Sequence, residues 1–290
     1  MRFAKGHGTG NDFVILPDYD GRLELSPELV ARICDRHFGI GADGVLRVVR
    51  TLAAEGVAEA GLARTLAARA DLVEWFMDYR NADGSVAEMC GNGIRVFVRY
   101  LLEEGLVAGP EVAVATRAGV RTVRAEADGQ FTVDMGPAVL AGAGAVQLGE
   151  LRLGGLAISV GNPHLACIVD RPVAAVDLTS PRLVAPPELL GGANVEVVRP
   201  AGPREIDMRV HERGSGLTLS CGTGAVAAAV AAAAAAGQWP DGPGDPWTVH
   251  VPGGRLTVRP SATASLLTGP AEVVAVGELA ESWLGAPAAR

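Results

Sequence analysis

The chain has 290 residues, 49% of them hydrophobic, and a formal net charge of −8 at pH 7. That length can bury a large core, and at roughly 150 residues per domain it predicts two domains. No cluster of Lys or Arg is present to hold phosphates or anionic lipid, so neither nucleic acid nor a membrane is an expected partner.

The amino terminus, MRFAKGHGTGNDF, has no apolar stretch of the kind a signal peptide needs, and a cytoplasmic location is expected. Cys34 lies in VARICDRHF, a helical pattern. GIGADG, at Gly39 to Gly44, fits the dinucleotide fingerprint, but a helical pattern precedes it where a buried strand is required, which argues against a nucleotide site. The Ala-rich, charge-flecked stretch from Arg50 to Trp75 reads as a helical or mobile insertion.

EMCGNG, at Glu88 to Gly93, is followed by Ile94, Phe97, Val98, Leu101 and Leu102 at the spacing of an amphipathic helix. That helix is predicted to start just after Cys90. Cys167, in the alternating LACIVD, reads as a small buried hydrophobe. LSCGTG, at Leu219 to Gly224, then repeats the earlier phrase and opens the run GAVAAAVAAAAAAG, which ends at Gly237. This run falls short of the roughly 20 residues that cross a bilayer. It is apolar on every side, so a helix enclosed by its own domain is predicted, starting just after Cys221.

The four cysteines, Cys34, Cys90, Cys167 and Cys221, show no C-x-x-C spacing and no His pair at ligand spacing nearby, which argues against a metal site. A disulfide framework is not expected in a cytosolic chain of this size. Cys90 and Cys221 stand apart because each begins a helix through a glycine-rich turn. Such a turn brings the backbone close to a ligand, and the helix end offers unpaired N–H groups to an anion. The same helix end is expected to lower the pKa of a thiol. Two thiols that flank one carbon could remove a proton from one face and return one to the other, which is what inversion of an α-carbon requires. Without a cofactor, N–H groups at the carboxylate must stabilise the nascent carbanion. A cysteine hydrolase, with His164 as base, leaves the second cysteine turn unexplained, and a binding module for dicarboxylic ligands has no need of two thiols.

The residues carry a resemblance to the diaminopimelate epimerases. It rests on KGHGTGNDFV (Lys5 to Val14), DRHFGIGADG (Asp35 to Gly44), NADGSVAEMCGNGIR (Asn81 to Arg95), VGNPH (Val160 to His164), GANVEVV (Gly192 to Val198) and HERGSGLTLSCGTGA (His211 to Ala225). The resemblance implies an α/β fold of two similar domains, each wrapping strands around a central helix, with the active site in the cleft between them. The expected domains are 1–134 plus 269–290, carrying Cys90, and 135–268, carrying Cys221. The implied activity is a cofactor-independent interconversion of L,L- and meso-diaminopimelate, a step toward lysine and peptidoglycan precursors. Proline racemase and hydroxyproline epimerase, of the same fold, are the alternatives, and NADGS and HERGSG favour the diaminopimelate enzyme.

By the same resemblance Cys90 and Cys221 match the catalytic thiols, and His164 and Glu212 match residues that assist them. Gly91, Asn92, Gly222 and Thr223 match the donors to the reacting carboxylate. Asn11, Asn81, Asn162 and Asn194 match substrate-binding amides, and Arg213 suits the distant carboxylate. For Glu212 with Arg213 the plainer alternative is a solvated ion pair. Two positions depart from the family. Gly44 stands where many members carry a substrate-binding glutamine, and Ala275 stands where relatives often carry an aromatic at a dimer contact, which leaves a homodimer open.

Overall fold

A computed structural model of the chain describes residues 1–59, 62, 65, 68, 72–185, 191–239 and 244–285. The chain divides into two compact units, one of Met1–Gly8, Asp12–Phe131 and Ala271–Arg290, the other of Thr9–Asn11 and Thr132–Pro270.

The first unit opens with β1 (Arg2–Gly8) and β2 (Asn11–Pro17), followed by α1 (Pro27–Cys34). Proline at its first turn and the Ser26 side chain, which accepts from Leu29 N–H, start α1 where the sequence allows it. The helical pattern read through Phe38 stops at Cys34, because the Asp35 carboxylate accepts from the N–H groups of His37 and Phe38 and turns the chain. β3 (Gly44–Arg50) pairs parallel with β2 and antiparallel with β4 (Trp75–Asn81). The GIGADG glycines therefore precede a strand and follow a helix, the reverse of the nucleotide-binding order. Between these strands the chain forms a 3-10 turn over Thr51–Gly56, and part of the expected insertion, residues 60–61, 63–64, 66–67 and 69–71, lies outside the described residues.

α2 (Gly91–Glu103) buries Ile94, Phe97, Val98 and Leu101, as its apolar stripe predicts, and half-buries Leu102. β5 (Glu111–Thr116) runs parallel to β4 and antiparallel to β6 (Gly119–Ala125). The strands β1, β3, β4 and β6 pack on α2, which makes it the central helix of the unit.

The second unit repeats this order. After β7 (Phe131–Gly136), β8 (Val139–Leu148) and β9 (Leu151–Ser159) come β10 (Pro163–Ile168), β11 (Arg182–Ala185), β12 (Asn194–Gly202) and β13 (Glu205–Glu212). β10 is parallel to β12, and β12 is antiparallel to β13. Beyond the short β14 (Gly216–Thr218) lie α3 (Gly222–Ala235), β15 (Trp247–Val251), β16 (Gly254–Arg259) and β17 (Ser265–Gly269). β13 is parallel to β15, and β15 is antiparallel to β16. The alternation β2, β3, β4, β5, β6 of the first unit thus recurs as β10, β12, β13, β15, β16. α3 is buried from Ala225 to Ala233 and is packed by seven strands, so its lack of a polar face is met by strands on all sides. The last strand, β18 (Glu272–Glu278), pairs with β1 and completes the first unit, followed by the short α4 (Glu281–Leu284).

Among the described residues no helix is long and apolar enough to cross a membrane.

Candidate active site

Both cysteines are helix N-caps, and the two caps have nearly the same geometry. Cys90 adopts φ −135°, ψ 122°, and its Sγ accepts from Gly93 N–H at 3.3 Å. Cys221 adopts φ −127°, ψ 122°, and its Sγ accepts from Gly224 N–H at 3.4 Å. A thiol in the place of the usual Ser or Asp cap satisfies one orphan N–H and holds the sulfur at the positive end of the helix dipole.

The surroundings of the two sulfurs differ in charge. Beside Cys90, which is half-buried, lies the fully buried Arg95, whose guanidinium donates to Gly91 O at 3.1 Å and to Asn92 Oδ1 at 2.9 Å. Burial pushes this guanidinium down to about 10, and the charge of Cys90 opposes that shift. Upstream, Asn81 ends β4 and donates to Ser85 Oγ at 3.0 Å across a turn closed by Gly84, whose φ is +83°.

Cys221 is buried among carboxylates. Its thiol is pushed well above its ordinary value by burial first, then by the charges of Glu212 and Glu196. This corrects the expectation that the helix end lowers it. The Gly224 N–H and Thr223 hydroxyl do pull downward, but desolvation and two like charges outweigh them. Glu212, the last residue of β13, accepts from Thr218 Oγ1 at 2.5 Å. Burial raises its carboxyl, and hydrogen bonds from Thr218 and Cys221 act the other way. Glu212 is thus placed to exchange a proton with the Cys221 sulfur.

The rest of the second-unit set gathers through strand register. Parallel pairing places His164 opposite Asn194, and Asn194 and Glu196 share one face of β12 by the period of two. His164 is completely buried, with Nδ1 2.7 Å from Glu196 Oε1 and Nε2 2.9 Å from Asn162 Oδ1. Asn194 Oδ1 accepts from the backbone N–H of Arg213 at 2.8 Å. The Arg213 side chain is exposed and donates to Gly192 O at 3.4 Å, whereas the Glu212 carboxylate takes Thr218, so the two do not pair with each other. Asn11 opens β2, is buried, and falls with Thr9 and Gly10 in the second unit.

Sequence reasoning passed over Glu196, Arg95 and Thr218. A signal existed for Glu196, a lone charge inside the apolar run NVEVV. At Gly44 a Cβ would meet Arg80 O at 2.5 Å and Tyr79 Cε2 at 2.8 Å, so a glutamine there has no room on this backbone. Burial pushes the thiols of Cys34 and Cys167 up to about 12, in keeping with small buried hydrophobes. No group of three or more His, Cys, Asp or Glu is placed to hold a metal ion among the described residues.

The diaminopimelate epimerase family profile matches residues 3–141 and 156–274. A diaminopimelate epimerase of Thermobifida fusca is 56% identical over 96% of this chain and 98% of its own. One of Streptomyces coelicolor is 51% identical, over 98% of this chain and 97% of its own. Among solved structures, a hydroxyproline epimerase from Agrobacterium vitis superposes with a TM-score of 0.66 at 17% identity, covering 96% of this chain and 91% of that one. A probable proline racemase from Agrobacterium radiobacter superposes at 0.64 and 16%, covering 97% and 93%. These two show a shared fold, whereas the profile and the close relatives show descent, and by them the chain belongs to the diaminopimelate epimerase family.

Proposed function

We propose that this chain interconverts L,L- and meso-diaminopimelate by proton transfer at the α-carbon, with Cys90 and Cys221 as the two acid/base groups and no cofactor. The observation that carries the reading is the matched pair of cysteine caps, one in each of two units of like topology. The named activity of the close relatives supports it.

In this reading the thiols act on opposite faces of one α-carbon. One thiolate takes the α-proton, the carbanion is held while the carboxylate accepts from N–H groups of the two turns, and the other thiol delivers its proton. The second-unit thiol becomes thiolate by passing its proton to Glu212, whose raised carboxyl is suited to take it. Gly91, Asn92, Gly222 and Thr223 supply the carboxylate donors. Asn11, Asn81, Asn162 and Asn194 orient the two charged ends of the substrate, and Arg213, exposed and outside any ion pair among the described residues, receives the distal carboxylate. The partner is a small diamino dicarboxylic acid in the cytoplasm. A homodimer stays open through β18, where Val274, Ala275 and Val276 are exposed.

The test is incubation of the purified chain with L,L-diaminopimelate and no added cofactor, with the isomers separated by chiral chromatography. The meso isomer is expected to accumulate until the two interconvert at equal rates. An unchanged L,L isomer with active conversion of proline or hydroxyproline would move the assignment to the other enzymes of this fold.

A further inference from the structure

Glu196 lies within five consecutive buried residues of β12, Asn194 to Val198. A carboxylate in such a place is costly unless paired. Its pair is His164, and both side chains have 0% exposure. The contacts locate the protons. Nε2 faces the Asn162 amide oxygen, which can only accept, so Nε2 carries hydrogen. A bare Nδ1 would then meet a bare carboxylate lone pair to lone pair at 2.7 Å, which the geometry forbids unless one proton lies on the line between them. One proton therefore lies in the hydrogen bond between His164 Nδ1 and Glu196 Oε1, with the Asn194 amide nitrogen 3.5 Å from Nδ1 beside it. The other oxygen, Oε2, has no hydrogen-bond partner among the described residues, so sharing the proton spares it a full unpaired charge.

Space for this carboxylate comes from Gly224, where a Cβ would lie 2.8 Å from Glu196 Oε1. The glycine whose N–H caps the Cys221 sulfur is thus the one that admits Glu196. The charged and titratable neighbours are Cys167 on the strand of His164, Glu212 on β13 and Cys221 at the start of α3, each of which senses Glu196 or lies next to a group that does.

We propose that Glu196 is a positioning residue for the epimerisation, holding His164 with a hydrogen on Nε2 toward Asn162 and taking up the charge when that hydrogen is given away. In that step the Nε2 hydrogen breaks from the Asn162 oxygen and its proton goes to substrate or thiolate, the proton between the pair settles on Nδ1, and the negative charge rests on Glu196. Return of a proton to Nε2 restores the starting state. A buried carboxylate behind a histidine is a general means of setting its tautomer and balancing its charge. This role rests on the epimerase reading above.

The test joins proton NMR with kinetics. The shared proton should give a low-field resonance in the parent, assigned by its loss in His164→Gln. Glu196→Gln keeps the volume but donates an amide N–H to Nδ1. The resonance should vanish, and kcat should fall about 10- to 100-fold with KM held within about twofold, by analogy with the effect of removing the outer partner of a metal-bound histidine. Glu196→Asp keeps the charge and should restore the resonance and part of kcat. Folded Glu196→Gln protein with parental kcat, or Glu196→Asp no better than Glu196→Gln, overturns the role. A parent that turns over diaminopimelate without the resonance overturns the role alone. A parent that shows the resonance yet turns over none overturns the epimerase reading, and the role with it.

Discussion

Cys90→Ala and Cys221→Ala are each expected to lower epimerisation by about 100- to 10,000-fold, the contribution of a general acid or base, while leaving the fold intact. The fold expectation follows from size and capping. Each sulfur accepts a backbone N–H, at 3.3 and 3.4 Å, so alanine forfeits a weak cap and a small volume, and at Cys221 also the contacts with Thr223 and Glu212. A cap of this kind is worth about 1 kcal/mol. Loss of turnover follows from chemistry, since either change leaves one face of the α-carbon without a proton donor or acceptor. Circular dichroism and initial rates, measured on the same preparations, check both halves. A folded single variant turning over near the parental rate would contradict the two-thiol reading.

Glu212→Gln separates the charge on the Cys221 sulfur from its catalytic use. Glu212 is the largest charge-related cause of the raised Cys221 thiol, after burial. Removing that negative charge lowers the thiol's pKa, so the thiolate fraction at a fixed pH between neutrality and the parental value rises. Alkylation of Cys221, read by mass spectrometry in the absence of substrate, should become faster than in the parent and should reach half its maximum at a lower pH. Turnover should nonetheless fall about 100-fold or more, because the carboxylate that exchanges the thiol's proton is gone. Faster alkylation together with slower turnover is the signature. Slower alkylation would show that Glu212 does not face Cys221 as a charge.

The sequence made the two helix starts legible because the signal is local: a glycine-rich turn followed by apolar spacing of one kind in α2 and unbroken apolarity in α3. The recurring strand order was less legible, since strand pairing of alternating sense leaves no repeated phrase outside the two cysteine turns. The direction in which the Cys221 thiol shifts was not legible, because a helix end is visible in sequence while burial beside Glu212 and Glu196 is not. The His164–Glu196 pair joins residues 32 positions apart through the β10–β12 register, and nothing in either local stretch announces the other. The resemblance to a known family led to Asn162, His164, Asn194 and Glu212. The structure joins Asn162, His164 and Asn194 in one hydrogen-bonded group, in which Asn194 accepts from the Arg213 backbone N–H, and sets Glu212 against Thr218 and Cys221.

Deuterium incorporation during the first turnovers tests the account most directly. With L,L-diaminopimelate in deuterated water, two thiols acting from opposite faces place a solvent-derived deuteron on the inverted α-carbon. Early meso product should therefore be labelled there while remaining L,L substrate stays largely unlabelled. Product that carries the original hydrogen, or substrate that gains label as fast as product forms, would mean that one group removes and returns the proton, and would contradict the roles given to Cys90 and Cys221.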